Sequence, residues 1–400
     1  MSVPLAPWPH FDDEQIEAVS AVLRSGRINY WTGTIGREFE RQYASYLGRR
    51  HSIALANGTV ALELALEAFG IGKGDEVIVP ARTYVASASC AVMRGAVPVI
   101  ADVDQDSQCL TAETIAAVLS PRARAVIVVH LGGWPADMDP IMKLADERGL
   151  VVIEDCAQAH GAFYKGQPVG SIGHAGAFSF CQDKILTTGG EGGLLALDDD
   201  AAWRRAWAFK DIGRSYEAVY EREHGSGFRW LTESFGTNWR MTEMQAALGR
   251  IQLARLPDWS ARRAHNASAI RAALDDLPAL RLPTVPQGDV HGNYKFYAFV
   301  RPQSLAPGWN RDRILASIEA EGLPCGVGSC SEIYLENAFI QRGWGPKERL
   351  PVARQLGDTS MMFMVHPTLT NDQIHWSAST IRRAVLQASL HDAQTVTILD

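Results

Sequence analysis

The stretch from Val151 to Gly193 constrains the fold and chemistry of this chain more than any other. It begins with an apolar β-branched run, which stops abruptly at Glu154 and Asp155. Such a run closed by carboxylates predicts a buried parallel strand whose C-terminal end opens into a site.

Further along the same stretch, Lys184 lies between an apolar segment and a glycine cluster at residues 189–193. Taken singly, an Asp at a strand end is usually a cap, and a Lys before a Gly-rich loop is usually solvated. Together, each at the edge of a predicted strand, Asp155 and Lys184 match what a Schiff-base enzyme needs. One supplies a carboxylate for a pyridinium nitrogen, and the other supplies an amine for an aldehyde.

Strands and helices alternate through the first half of the chain. We expect strands at residues 51–56, 74–80, 97–104, 125–130, 150–155, 174–181 and 193–197. Alternation of this kind is typical of βαβ units and of a sheet that is mostly parallel. Ligands in such folds gather at the carboxyl ends of the strands.

A tight turn, Asn57-Gly58-Thr59, joins the first of these strands to a helix predicted at residues 60–69. Free N–H groups and the helix dipole at such a turn favour a phosphate. The alternative is an ordinary helix N-cap by Asn57 or Thr59. Taken alone, the turn favours the N-cap, whereas together with the Lys184 stretch downstream it favours the phosphate site.

The length of 400 residues indicates two domains. Pro257 is expected to end a helix, so we place the boundary there: a large domain of residues 1–256 and a smaller α+β domain of residues 257–400. The smaller domain is predicted to begin with a helix at 261–274. Residues 390–400 are expected to be a frayed tail.

Composition excludes several classes of protein. The net charge of −7 is not that of a nucleic-acid-binding protein. We expect no membrane span and no signal peptide, because no apolar run is long enough and the first nine residues lack a basic segment. The six cysteines show no metal-binding spacing, so we expect reduced thiols, no metal site and a cytoplasmic location.

Three segments of the central stretch resemble one family. They are Glu154-Asp155-Cys156-Ala157-Gln158-Ala159-His160-Gly161, Phe178-Ser179-Phe180 followed by Lys184, and Gly190-Glu191-Gly192-Gly193. They are similar to the DegT/DnrJ/EryC1/StrS family of pyridoxal-phosphate-dependent sugar aminotransferases, which share the fold of the aspartate aminotransferase superfamily. The resemblance covers nearly the whole chain. It implies a mostly parallel seven-stranded sheet sandwiched by helices, with a smaller α+β C-terminal domain.

The resemblance also implies the roles of individual residues. Lys184 would hold the cofactor aldehyde as a Schiff base and then shuttle the proton, and Asp155 would keep the pyridine nitrogen protonated. Two further residues are expected at the cofactor ring: Tyr84 would stack on it, and Gln158 would lie beside its hydroxyl. The expected phosphate-binding residues are Gly58, Thr59, Ser179 and Asn238.

A homodimer is implied as well, because the family's Gly-x-Asn-x-Arg segment reaches across the subunit interface. Here that segment is Gly236-Thr237-Asn238-Trp239-Arg240, and Asn238 would contact the phosphate of the neighbouring subunit. His160 belongs to the family motif, but we do not expect it to contact the cofactor directly.

The expected function is amine transfer from Glu or Gln to a keto-sugar, with a nucleotide-linked sugar as the first choice. A free keto-cyclitol is the alternative acceptor, and a non-catalytic ligand-binding relative is the alternative of a different class. Some relatives that remove a sugar 3-hydroxyl carry His at the position of Lys184, so the Lys favours amine transfer. Two loops depart from the family pattern: residues 189–193, with an extra residue, and residues 326–334.

Overall fold

The structure is a computed structural model that describes residues 4–390. The tail expected at 390–400 lies outside these residues except for Leu390. The strands, in chain order, are β1 (His51–Leu55), β2 (Glu76–Pro80), β3 (Val97–Ala101), β4 (Ala123–Val129), β5 (Val151–Asp155), β6 (Phe163–Tyr164), β7 (Gln167–Pro168), β8 (Ala175–Ser179), β9 (Gly193–Leu197), β10 (Leu280–Arg281), β11 (Phe296–Val300), β12 (Cys325–Gly326) and β13 (Ser360–Phe363).

The α-helices are α1 (Asp13–Ser25), α2 (Ile35–Leu47), α3 (Gly58–Ala68), α4 (Ala86–Met93), α5 (Ala112–Ala116), α6 (Met138–Arg148), α7 (Asp200–Phe209), α8 (Glu243–Leu274), α9 (Arg311–Ala320), α10 (Asn337–Ile340), α11 (Pro351–Thr359) and α12 (Asn371–Ala388). Their ends follow from local sequence. Asp12, for example, caps α1 with its side chain, and Gly26 ends that helix in the left-handed conformation.

The main sheet has seven strands in the order β1-β9-β8-β5-β4-β2-β3. The five strands from β8 to β3 are parallel to one another, whereas β9 runs antiparallel to both of its neighbours. The prediction of a mostly parallel seven-stranded sheet flanked by helices is therefore confirmed. Asp155 and Ser179 end the adjacent parallel strands β5 and β8, so both residues lie at the same edge of the sheet.

A second sheet of four antiparallel strands, β10-β11-β13-β12, belongs to the smaller C-terminal part of the chain. It packs with α9, α12 and the end of α8 around a hydrophobic cluster of its own, which includes Ile270, Phe296, Ile314 and Val385. The confirmed fold class thus includes a small α+β unit. The domain division at residues 256 and 257 stays a prediction.

The predicted helix break at Pro257 is wrong. Residues 243–274 form the single helix α8, with Pro257 inside it. A proline in a helix interior costs about 3 kcal/mol, but tertiary packing on both sides outweighs this cost. Ala246 and Leu256 lie in the hydrophobic cluster that also holds Phe39 of α2, whereas Ile270 lies in the cluster of the smaller sheet.

Two findings bear on the compositional predictions. Within residues 4–390, no helix combines the length and the apolar character that crossing a membrane requires. All six cysteines are free thiols. The cytoplasmic location stays a prediction.

Candidate active site

One cavity of about 670 Å³ lies at the carboxyl ends of the central strands. Seven of the eight predicted site residues line it: Gly58, Thr59, Tyr84, Asp155, Gln158, Ser179 and Lys184. The eighth, Asn238, does not. Residues that are more than 120 positions apart in the sequence, such as Gly58 and Lys184, thus share one enclosed space.

Asp155 lies at the floor of this cavity, at the end of β5, and is buried. Its Oδ2 accepts a hydrogen bond of 2.8 Å from the Ser87 hydroxyl, and its Oδ1 accepts one of 3.1 Å from the Ala157 N–H. Burial raises the pKa of the Asp155 carboxyl, although these two hydrogen bonds and the positive charge of Lys184 act in the opposite direction. A cationic ring nitrogen placed against Asp155 would stabilise its charged form.

Lys184 lies in the irregular segment between β8 and β9, and only a small part of its side chain is exposed. Its Nζ is 3.8 Å from Oδ1 of Asp183 and 5.1 Å from the centre of the Tyr294 ring. The Tyr294 hydroxyl in turn donates a hydrogen bond to Oδ2 of Asp183. Lys184 lines the same cavity as Asp155, and its volume of about 670 Å³ leaves space for a planar ring.

The N-terminus of α3 also lines the cavity. Asn57 caps the helix by accepting a 3.0 Å hydrogen bond from the Val60 N–H, while the first-turn N–H groups of Gly58 and Thr59 have no acceptor within the helix. A Cβ on Gly58 would lie 2.6 Å from the Cβ of Ser179, so only glycine fits there. The N-cap by Asn57 is therefore confirmed, and phosphate binding by the first-turn N–H groups stays a prediction.

Gln158 and Tyr84 lie along the sides of the cavity. The Gln158 side chain is held at both ends, since its Oε1 accepts a 2.8 Å hydrogen bond from the Gly132 N–H and its Nε2 donates to the Ser329 hydroxyl at 3.4 Å. Tyr84 is 68% exposed although it lines the cavity. An aromatic ring left this open has a free face for a ligand or a partner chain.

Asn238 lies apart from the cavity of its own chain and is exposed. Its backbone pairs with Asp211, and the following residues run beside the end of β1, where Trp239 accepts the Ala56 N–H at 2.9 Å. The preceding segment carries three strongly exposed aromatic residues: Phe228 (79%), Trp230 (80%) and Phe235 (100%). We call residues 227–238, which contain them, the aromatic arm.

His160, which belongs to the motif but was not expected to touch the cofactor, does not line the cavity. It is buried, and its Nε2–H donates a 2.9 Å hydrogen bond to the carbonyl of Ser179. Its Nδ1 accepts a 2.7 Å hydrogen bond from the Tyr43 hydroxyl. Burial lowers the pKa of His160 to about 4, so the ring is neutral and holds the end of β8 in place.

A second buried histidine supports β5. His130, Glu154 and Cys156 come close together beneath Asp155. Glu154 accepts hydrogen bonds from His130 Nε2–H at 3.0 Å and from three N–H groups of residues 170–173, and His130 Nδ1 accepts the Ala136 N–H. These groups satisfy one another, and the network fixes the strand that carries Asp155.

The sequence reasoning missed three residues of the site. Ser87 and Thr83 are buried, and their hydroxyl groups lie 2.8 Å apart. Because the Ser87 proton goes to Asp155, Thr83 must donate to Ser87. Two hydroxyl residues four positions apart at the start of a helix could have signalled this relay. The third residue is Trp8, whose indole N–H donates a 2.9 Å hydrogen bond to the carbonyl of Lys184. No local sequence pattern predicts this contact.

The glycine cluster after Lys184 is required by close packing. Gly190 has a φ of 122°, which only glycine adopts readily. A Cβ on Gly193 would lie 2.2 Å from the carbonyl oxygen of Asn57, at the start of the turn that leads into α3. The cluster thus lets the segment carrying Lys184 return directly against α3.

Comparisons with known proteins identify the family. The model of the DegT/DnrJ/EryC1/StrS aminotransferase family matches residues 9–382. The L-glutamine:2-deoxy-scyllo-inosose aminotransferase of Streptomyces kanamyceticus is 39% identical over 330 residues, covering 80% of this chain and 76% of that protein. The GDP-perosamine synthase of Caulobacter vibrioides is 38% identical over 296 residues, covering 73% and 76%.

A solved structure of an aminotransferase from Psychrobacter cryohalolentis is 53% identical, with a TM-score of 0.95, and the match covers 96% of this chain and 100% of that one. The site fits pyridoxal phosphate: a buried carboxylate for the ring nitrogen, an amine for the aldehyde and a helix N-terminus for the phosphate share one cavity. The chain therefore belongs to the DegT/DnrJ/EryC1/StrS aminotransferase family and is a pyridoxal-phosphate-dependent aminotransferase.

Proposed function

We propose that this enzyme transfers an amino group from glutamate or glutamine to the ketone carbon of a sugar, with Lys184 as the residue that bonds to the cofactor aldehyde. The observation that carries the proposal is that Lys184 and Asp155 line one cavity together with the N-terminus of α3. Bound pyridoxal phosphate supplies an aldehyde that exchanges amines and a ring that takes up the electron pair of a broken C–H bond.

Lys184 is the proposed proton carrier. Once displaced from the aldehyde, its Nζ would carry a proton between the substrate carbon that bears the nitrogen and the aldehyde-derived carbon of the cofactor, since it is the side-chain amine lining the cavity. Asp155 would hold the pyridine nitrogen in its protonated form. The hydrogen bonds from Ser87 and Ala157 fix the direction of its carboxylate.

The phosphate would lie at the start of α3. We assign it to the N–H groups of Gly58 and Thr59 and to the Ser179 hydroxyl, which accepts the Cys181 N–H at 3.3 Å and therefore keeps its own proton free to donate. Gln158 would lie beside the ring hydroxyl, and Tyr84 would stack on the ring. The two clamped ends of Gln158 support a positioning role, because they leave the amide little freedom.

For the acceptor, we propose a nucleotide-linked keto-sugar. Its diphosphate requires positive charge, and Arg214 and Arg229 line a hollow of the aromatic arm together with Phe228 and Trp230. Arginines and aromatic rings suit a nucleotide's phosphates and base. A free keto-cyclitol is the second candidate, because the relative from Streptomyces kanamyceticus is named as an aminotransferase of 2-deoxy-scyllo-inosose.

The acceptor is tested by assaying the purified enzyme with both kinds of substrate. A panel of nucleotide-linked keto-sugars and a panel of free keto-cyclitols are each offered with glutamate and with glutamine, and amine formation is measured by mass spectrometry. We expect turnover of a nucleotide-linked sugar. Turnover of a cyclitol, with none of any nucleotide-linked sugar, would replace the first candidate by the second.

We also propose a homodimer in which the aromatic arm of one chain covers the cavity of the other. Asn238 has no access to the cavity of its own chain, and Phe228, Trp230 and Phe235 are too exposed for an isolated surface. A second copy would cover these rings and bring Asn238 to the phosphate end.

A further inference from the structure

Residues 4–10 form an N-terminal strap. It connects the C-terminal part of the chain, which contains the smaller sheet, to the segment that carries Lys184. Its key contact is a 2.9 Å hydrogen bond from the indole N–H of Trp8 to the main-chain carbonyl of Lys184. We propose that Trp8 is a positioning residue that holds Lys184 in the orientation its amine needs. The inference rests on the proposed role of Lys184.

The backbone of Lys184 is held from two directions. Its N–H donates a 3.1 Å hydrogen bond to the carbonyl of Cys181, within its own loop. Its carbonyl is fixed from outside the loop, by Trp8. Within residues 4–390, the Lys184 amine donates no hydrogen bond, and its polar contacts are the longer ones to Asp183 and to the Tyr294 ring, at 3.8 Å and 5.1 Å. The direction of the amine therefore depends on how firmly the main chain is fixed.

The Trp8 ring is itself held on several sides. It meets Trp259 edge-on at 5.2 Å between centroids and stacks on His366 at 6.1 Å. The guanidinium of Arg263, a buried residue of α8, lies 5.0 Å from its centre. A Trp packed between two rings and a cation has few alternative orientations, so its N–H is a fixed donor.

The main chain of the strap is tied to residues next to β13 and α12. The Thr368 hydroxyl donates a 2.8 Å hydrogen bond to the carbonyl of Pro7, and the Gln373 side chain donates one of 2.7 Å to the carbonyl of Pro4. Because the Thr368 proton goes to Pro7, His366 must donate from its Nδ1 to the Thr368 oxygen at 2.8 Å. The ring that stacks on Trp8 is thus part of the same tether.

This arrangement makes a specific prediction about catalysis. If Trp8 only filled space, Trp8→Phe would act through the lost ring volume alone, and its effect would match that of Trp259→Phe. If its N–H positions Lys184, then Trp8→Phe, which also removes the donor, lowers the fraction of enzyme with a correctly placed amine. Loss of one such hydrogen bond corresponds to about a fivefold effect, which we expect in kcat while KM for the acceptor is unchanged.

The experiment compares Trp8→Phe with two other variants. Trp259→Phe is the matched control, because it changes the packing around Trp8 but leaves the hydrogen bond to Lys184. Thr368→Val releases the strap from the other end without touching Trp8. Two quantities are measured: kcat and KM of the loaded enzyme, and amide hydrogen exchange of residues 181–188 in the cofactor-free protein. The second requires no assumption about the role of Lys184.

We expect Trp8→Phe to lower kcat about fivefold and to raise the exchange rate of residues 181–188 by a similar factor. Thr368→Val should change both quantities in the same direction but by less, and Trp259→Phe should leave both near their wild-type values. Unchanged exchange and kcat in Trp8→Phe, or an equal effect in Trp259→Phe, would overturn the proposal. Full turnover by Lys184→Ala would instead remove the proposed function. If Trp8→Phe does not fold, the test rests on Thr368→Val. A raised exchange rate with a lowered kcat in that variant supports the proposal, and wild-type values of both refute it.

Discussion

The hydroxyl of Ser87 donates a 2.8 Å hydrogen bond to Oδ2 of Asp155, and both residues are buried. Thr83 donates to Ser87 in turn, so a short relay of hydroxyl groups ends at the carboxylate. This relay sets the direction of the Asp155 side chain and partly offsets the effect of burial, which raises its pKa. Within residues 4–390, no positively charged side chain forms an ion pair with Asp155, so a cationic group placed against it would stabilise its charged form.

Removing the donor should weaken cofactor binding. A buried hydrogen bond to a charged group contributes about 1.5–3 kcal/mol, so we expect Ser87→Ala to lower the affinity for pyridoxal phosphate roughly tenfold or more. The measurement is an absorbance titration of cofactor-free protein. Ser89→Ala, in the same helix but without a side-chain contact to Asp155, is the matched control. Equal affinities in the two variants would show that the relay is not needed.

Asp155→Asn should separate stability from function. Because the pKa of Asp155 is raised by burial, the folded protein binds that proton more tightly than the unfolded chain. The contribution of Asp155 to the free energy of unfolding therefore falls as pH rises above the pKa that its carboxyl has in the unfolded chain. Above the higher pKa that it has in the folded protein, the buried charge destabilises the fold most.

An Asn avoids this cost, so at neutral pH the cofactor-free variant should melt at a temperature about 2 °C higher than wild type, with a smaller difference in acid. Its activity should fall by roughly a hundredfold or more, since the ring nitrogen loses its acidic partner. Thermal unfolding of both cofactor-free proteins across pH, with a matched activity assay, checks both parts. A lower melting temperature for Asp155→Asn than for wild type at neutral pH would show that the buried charge does not destabilise the fold.

The buried histidines should make the fold sensitive to acid. Burial lowers the pKa of His160 to about 4 and that of His366 to about 3. The unfolded chain takes up these protons near pH 6.5, so stability is fully present above that value and is lost as pH falls towards the folded pKa values. Each ring contributes a loss of up to about 1.4 kcal/mol per pH unit in this window.

Urea unfolding at pH 7, 6 and 5 measures the loss, and NMR titration of the His160 ring tests its cause. We expect the ring to stay neutral at pH 5. A titration midpoint near 6.5 would contradict the hydrogen-bonding scheme in which His160 Nδ1 accepts from Tyr43.

How far the sequence predicts this molecule depends on whether the cause is local. The strand ending at Asp155 and the capped turn at Gly58 are set by neighbouring residues, and both appear where the apolar pattern and turn chemistry place them. Pro257 misleads because the packing of α8 on two separate clusters overrides a local preference. The contact between Trp8 and Lys184 joins residues 176 positions apart, so nothing near either of them could reveal it.

The homodimer can be tested by pairing two defective chains. Lys184→Ala lacks the amine, and Asn238→Asp places a negative charge where the partner's phosphate would lie. Co-expressed in equal amounts, they should recover about a quarter of wild-type activity, because half of the dimers are mixed and each mixed dimer has one intact site. Either variant with itself should stay nearly inactive. Activity no greater than the average of the two separate variants would show that the sites are not shared.

The proposed role of Lys184 is tested most directly by identifying the amine that bonds to the cofactor. The loaded enzyme is treated with borohydride, which makes that bond permanent, and its peptides are mapped by mass spectrometry. Lys210 and Lys295 are internal competitors, since burial lowers the pKa of each amine to about 8. We predict that the adduct is found on Lys184 and on neither competitor. An adduct on Lys210 or Lys295, with Lys184 unmodified, would contradict the account.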